Sequence, residues 1–141
     1  MAYAFHKEDV KFLLSHKQLI INTLNKLLRK EKHKKGEINF IFCSDPYLKS
    51  INKKFLQHNY FTDIITFDYT TGGVVSGDIY ISVDRVKDNA KTYSTSFNNE
   101  LARVIFHGVL HLCGYKDKSP KDAKTMREKE DYYLSLLAKI K

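Results

Sequence analysis

The amino-acid sequence predicts an α+β (mixed α/β) fold, a small, mainly four-stranded sheet packed with about five helices. Three observations predict it. Long stretches repeat their apolar residues at helical spacing, short β-branched and aromatic runs stand between them, and serine, proline and glycine signals mark the changeovers. A chain of 141 residues with 43% hydrophobic and 13% aromatic content can bury about two-thirds of its unfolded surface. Residues 1–141 are therefore expected to form one domain, and a disordered chain is excluded.

Leu19, Ile20, Thr23, Leu24, Leu27 and Leu28 share one face of a helix from about Lys17 to Lys32. The charged run Arg29–Lys35 reads as the basic tail of that helix, answering the negative end of its dipole, with Gly36 as the left-handed C′ residue. Glu37 to Cys43 is β-branched and aromatic, which makes it a strand. Ser44, Asp45 and Pro46 open a short helix that runs to about Phe55. Asp63–Phe67 and Asp78–Ser82 are two further strands, with a turn at Thr70–Gly73 between them. Helices follow at Asp84–Tyr93, Asn98–Cys113 and Ser119–Ile140, the last opened by Ser119 as N-cap and Pro120 at N1. No element is assigned before Lys17.

Twenty-four Lys and Arg against sixteen Asp and Glu leave a net charge of +8, which favours polyanionic partners without fixing a fold. Cys43 and Cys113 are too few for a disulfide-stapled secreted scaffold. No apolar run approaches the ~20 residues needed to span a bilayer. Met1–Asp9 carries acids where a secretion signal would have its apolar stretch. A cytoplasmic protein is the expectation.

The chemistry concentrates between Leu101 and Asp117. His107 and His111 lie four residues apart on a helix, so their imidazoles stack on one face and can share an ion. Gly114 stands where that helix needs a left-handed residue to turn, and the turn can bring Asp117 back over the same face as a third ligand. Three protein ligands with an open fourth position describe a catalytic zinc site. The spacing His-x3-His-x2-Gly-x2-Asp is that of extended zincin sequences with Asp in the last place. The helix is otherwise apolar, and two imidazoles buried on it need polar partners.

A zincin peptidase places Glu directly after the first His as its base. Gly108 occupies that position, so peptidase chemistry of that type is not expected. Glu100 lies two turns before His107 on the same face, as an orienting partner for an imidazole, a distant base, or simply an acid at a helix N-terminus. Cys113 is rotated away from His111 and, like Cys43, reads as a small buried residue. Lys116, Lys118, Lys121, Lys124 and Arg127 cluster just after the motif and can neutralise phosphates, or form a solvated helix face.

The run His107-Gly-Val-Leu-His111-Leu-Cys-Gly114-Tyr-Lys-Asp117 resembles the hallmark of the YbeY family, bacterial metal-dependent endoribonucleases of rRNA maturation. Ile51-Asn52 through Thr62-Asp63-Ile-Ile-Thr-Phe67 and Gly77-Asp78-Ile-Tyr-Ile-Ser82 resemble further segments of that family, and Glu100 falls at its acidic position before the metal helix. The resemblance runs from about residue 37 to 130. Two positions depart from it. Asp117 stands where the family has a third His, and Leu56 where it has a functionally important Arg. Leucine cannot clamp a phosphate, and Lys53, Lys54 and His58 are the nearby candidates for that role.

The resemblance implies a single-strand-specific endoribonuclease using one Zn²⁺ ion on His107, His111 and Asp117, active in 16S rRNA 3′-end maturation and ribosome quality control. Either a metal-bound hydroxide or the substrate's 2′-hydroxyl would be the nucleophile. The implied partners are rRNA and the small ribosomal subunit, with a ribosomal protein or assembly GTPase besides. The rival readings are a non-catalytic ribosome-assembly factor with a structural zinc and another metal-dependent hydrolase.

Overall fold

The structure is a computed structural model that describes residues 3–58 and 61–140, the last three by backbone alone. Its elements run β1 (Tyr3–Glu8), α1 (Lys17–Lys30), β2 (Lys34–Cys43), α2 (Asp45–Leu56), β3 (Ile64–Asp68), β4 (Val74–Ser82), α3 (Val83–Thr92), α4 (Phe97–Leu112) and α5 (Pro120–Ile140). The strands form one sheet in the order β1-β2-β4-β3. β1, β2 and β4 are parallel neighbours, and β3 closes the far edge as an antiparallel hairpin with β4. The α+β expectation holds, and the fourth strand is β1.

Alternation along the strands gives the sheet two apolar faces. Ile38, Phe40 and Phe42 of β2 and Val75, Ile79 and Ile81 of β4 join the main core with α1, α3, α4 and α5. Cys43 and Ile65 point the other way and pack with Leu48 of α2. Four helices start on a serine cap, Ser44, Ser82, Ser96 and Ser119, whose hydroxyls accept from the amides of Tyr47, Arg85, Asn99 and Asp122 at 3.0–3.2 Å. Each cap satisfies an amide that the first helical turn leaves unpaired.

α4 is buried on nearly every side, the pattern of a helix running through a core rather than over it. It lies close to the sheet because glycines stand at the contact. A Cβ on Gly108 would sit 2.9 Å from both Ile64 Cδ1 and Ile79 Cγ2, and one on Gly77 would sit 2.5 Å from the Phe67 carbonyl and 2.9 Å from Leu112 Cδ2.

Two local readings are corrected. The run Arg29–Lys35 is not a helix tail ended by Gly36. α1 stops at Lys30, and Lys32 takes the left-handed conformation at φ 62°. The amides of Lys32 and His33 donate to the carbonyls of Arg29 and Leu28, closing the helix one turn early. Lys34 and Lys35 already pair with Val74 and Val75, and Gly36 is a strand glycine whose Cβ would meet Ser76 Oγ at 2.1 Å. The segment before Lys17, given no element from sequence, holds β1. Phe5 stacks on Phe40 and Phe42 with ring centroids 5.3 and 6.3 Å apart, so its partner strand supplies most of its reason to be extended.

Gly77→Ala tests the close contact. The added methyl has backbone on one side and Leu112 on the other, so overpacking should cost ~1–3 kcal/mol. That loss should appear as a lower urea midpoint with an unchanged slope.

Candidate metal centre

The centre is assembled mostly by one helix and the turn that ends it. His107 and His111 project from the same face of α4, their rings 4.5 Å apart and nearly perpendicular. After Leu112 the chain reverses at Gly114, φ 106°. The amides of Gly114 and Tyr115 donate hydrogen bonds to the carbonyls of His111 and Leu110 and close the turn. The reversal brings Asp117 Oδ2 to 3.2 Å from His107 Nε2 and 3.4 Å from His111 Nε2. One donor atom from each residue lies within 4.8 Å of the other two.

Each imidazole is fixed through its other nitrogen. His107 Nδ1 lies 2.6 Å from Glu130 Oε2, and His111 Nδ1 lies 2.9 Å from the Tyr115 carbonyl. A carboxylate and a carbonyl can only accept, so both Nδ1 atoms carry the proton and both Nε2 atoms present lone pairs to a metal. Glu130 is itself buried and held by Arg103 at 2.9 Å, and the same guanidinium reaches Asp131 at 2.6 Å. Burial disfavours the His107 imidazolium, but the Glu130 hydrogen bond and the charges of Glu130, Asp117 and Asp63 outweigh it and raise the pKa.

A second anchor sits under the Asp117 turn. Glu31, at the end of α1, accepts from the Tyr115 hydroxyl at 2.6 Å and from Lys129 at 3.1 Å, and also from the Tyr133 hydroxyl. Burial alone would raise its pKa, yet these three donors leave it below its ordinary value of 4.5.

The three candidate ligands open on a cleft of about 510 Å³ floored by β3 and α4 and walled by α3 and α5. Asp63, Glu100 and Arg127 line it as well. Burial raises the carboxyl pKa of both Asp63 and Glu100. Two imidazole nitrogens and one carboxylate suit zinc or a related transition ion, and three donors leave a tetrahedral ion one position for a substrate atom. Gly108 faces the sheet, against Ile64 and Ile79, and is not among the residues that line the cleft.

All three expected ligands are therefore brought together. Glu100 is buried and lines the cleft, but the carboxylate on His107 is Glu130, which sequence reasoning missed. Arg103, Asp63 and Tyr93 were missed as cleft residues too. Arg103 precedes His107 by one turn, and a cation on so apolar a helix face signals that an acid must come from elsewhere, without saying which. Lys53 and Lys54 lie exposed in the last turn of α2, and His58 follows it, none of them among the cleft-lining residues. Of the cations after the motif, Arg127 lines the cleft, while Lys116, Lys118, Lys121 and Lys124 are exposed around it. Cys43 and Cys113 have thiols pushed up to about 12, chiefly by burial, and neither belongs to the donor group of His107, His111 and Asp117.

Glu130→Gln should weaken metal binding ~10–100-fold, the usual cost of losing a carboxylate behind a ligating His, as measured by competition with a chromophoric chelator. A pH test addresses Glu31. Its depressed folded-state pKa means its stabilising share is present above about pH 4.5 and is lost as pH falls through the lower folded value. The thermal stability gap between wild type and Glu31→Gln should be constant from pH 7 to about 5 and close below about 4.

Comparison with known proteins agrees with this geometry. The family model of Endoribonuclease YbeY matches residues 2–138. A relative of that name from Cytophaga hutchinsonii is 51% identical over 133 residues, 94% of this chain and 93% of its own length. One from Flavobacterium johnsoniae is 50% identical over 128 residues, 91% and 92% of the two chains. A solution structure from Thermotoga maritima superposes with a TM-score of 0.69 at 28% identity, covering 96% of this chain and 89% of that one. With nearly the whole chain matched and half its residues shared with these relatives, the protein belongs to the Endoribonuclease YbeY family.

Proposed function

We propose that this chain is a zinc-dependent endoribonuclease that cuts single-stranded RNA, acting in 16S rRNA 3′-end maturation and ribosome quality control. The observation that carries the reading is the convergence of His107 Nε2, His111 Nε2 and Asp117 Oδ2 at the wall of an open, polar cleft. Family membership supplies the reaction class. The net charge of +8 supports a polyanionic substrate. rRNA and the small ribosomal subunit are the proposed partners, with a ribosomal protein or assembly GTPase as a docking companion, and the cytoplasm is the proposed location. Among the described residues, no helix is long and apolar enough to cross a membrane.

When bound, zinc would polarise a phosphoryl oxygen and lower the pKa of a coordinated water. The protein's own share is positioning and proton handling. Glu130 and the Tyr115 carbonyl keep the Nδ1 protons of His107 and His111 in place, so the ligand face stays basic. Arg103 is occupied by Glu130 and Asp131, which leaves Arg127 as the cleft arginine exposed enough to hold a phosphate. Gly108 offers no base. Glu100, with its raised carboxyl pKa, is the proposed group that exchanges a proton with the reacting oxygens, and Asp63 shares its environment. Lys53, Lys54 and His58 are proposed to hold the RNA backbone outside the cleft, in place of the arginine that Leu56 replaces.

Elemental analysis and RNA cleavage on the same samples test the reading. Wild type should carry about one zinc. His111→Ala should lose the metal and at least about a hundredfold of its cleavage rate, the order of effect of removing a main electrostatic contributor. Zinc retained by His111→Ala would show that the ligand set is misassigned. Wild type that holds zinc and binds rRNA without cutting it would make the protein an assembly factor.

A further inference from the structure

One face of α3 carries Arg85, Asn89 and Tyr93 at successive turns, with Tyr93 capping the helix. The middle of this stripe belongs to the metal cleft, since Asn89 and Tyr93 both line it and Asn89 donates to Asp63. At either end stands an exposed ring. Tyr93 is 61% exposed, and among the described residues its ring makes no aromatic contact and its hydroxyl no hydrogen bond. At the other end is Phe61, 47% exposed, with the Arg85 guanidinium 5.2 Å and the Lys49 ammonium 4.6 Å from its centroid. Asp45 holds Arg85 in place at 2.6 Å, whereas Lys49 pairs with no carboxylate among the described residues. Eight residues of helix put Arg85 and Tyr93 about 12 Å apart, and Phe61 leads directly into Thr62 and Asp63 on the cleft floor.

Single exposed aromatics need no explanation, but Tyr93 on the wall of a polar metal cleft and Phe61 one residue before its floor, with two cations over the Phe61 ring, form a pattern. We infer that Phe61 and Tyr93 are base-stacking platforms that grip an unpaired RNA strand entering the cleft, Tyr93 at its wall and Phe61 beyond its floor, with Lys49 neutralising a phosphate beside Phe61. A base offers a free face to a ring only when it is unstacked, and duplex bases are already stacked and paired. These two rings therefore select single strands. The stacking is indifferent to sequence because every base has a π-face. This deepens the ribonuclease reading and rests on it for the identity of the strand.

Fluorescence anisotropy with a short labelled single-stranded oligoribonucleotide tests it without requiring cleavage. Phe61→Leu and Tyr93→Leu should each weaken binding roughly five- to a hundredfold, and Tyr93→Phe should bind as wild type does. Metal content and thermal midpoint should not move, which excludes misfolding as the cause. On an oligonucleotide whose bases are replaced by abasic sites, wild type should bind only as tightly as the leucine variants do. Lys49→Gln should flatten the salt dependence by about one phosphate contact. Leucine variants that bind the intact strand as wild type does would overturn the inference, and so would a loss that persists undiminished on the abasic strand. Wild type that fails to bind single-stranded RNA overturns both this inference and the ribonuclease reading. Wild type that binds through these rings but never cuts overturns only the proposed activity.

Discussion

The buried carboxylate of Glu130 is the contact on which the cleft depends. It stands between a guanidinium and an imidazole that both project from α4, one turn apart, so a single residue of α5 fastens two turns of the central helix. A buried charge is tolerable only with partners of this quality, and removing either one leaves the other costly to bury. The same carboxylate sets the wall of the cleft, the tautomer of His107 and the direction in which its Nε2 lone pair points. Asp131 strengthens the clamp from the solvent side by taking the second arm of Arg103. Architecture and chemistry here share one hydrogen-bonded chain.

Glu31 plays the corresponding part for the other imidazole. It does not touch His111, yet it anchors the ring of Tyr115, whose carbonyl holds the His111 proton. The early closure of α1 at Lys30 delivers Glu31 to that spot, with Lys32 bent left-handed so that the chain can drop into β2. A helix far from the motif in sequence thus reaches the turn that carries Asp117.

What could be seen in the sequence follows from how local each feature is. His107, His111, Gly114 and Asp117 span eleven positions, and helix geometry plus one left-handed turn suffices to bring the three ligands together. Glu130 was invisible because its role depends on the register in which α5 packs on α4. Glu128, Glu130 and Asp131 all lie within one turn, and only the packed structure selects among them. Gly36 was misread because a glycine after a basic helical run looks the same whether it bends left-handed or lies flat in a strand. Ser76, forty positions away, settles the matter. β1 was missed because Tyr3–Glu8 carries no clear alternation, and Phe40 and Phe42 of its neighbour draw it into the sheet.

The tight seat of Gly108 also limits what this scaffold can become. An acid introduced there would be driven into Ile64 and Ile79 of the sheet, 2.9 Å from its Cβ, wedging helix and sheet apart. The short step in sequence to a peptidase-like pair of histidines with an adjoining glutamate is therefore closed by shape. Any proton acceptor this centre uses has to come from another strand or helix, or arrive with the substrate.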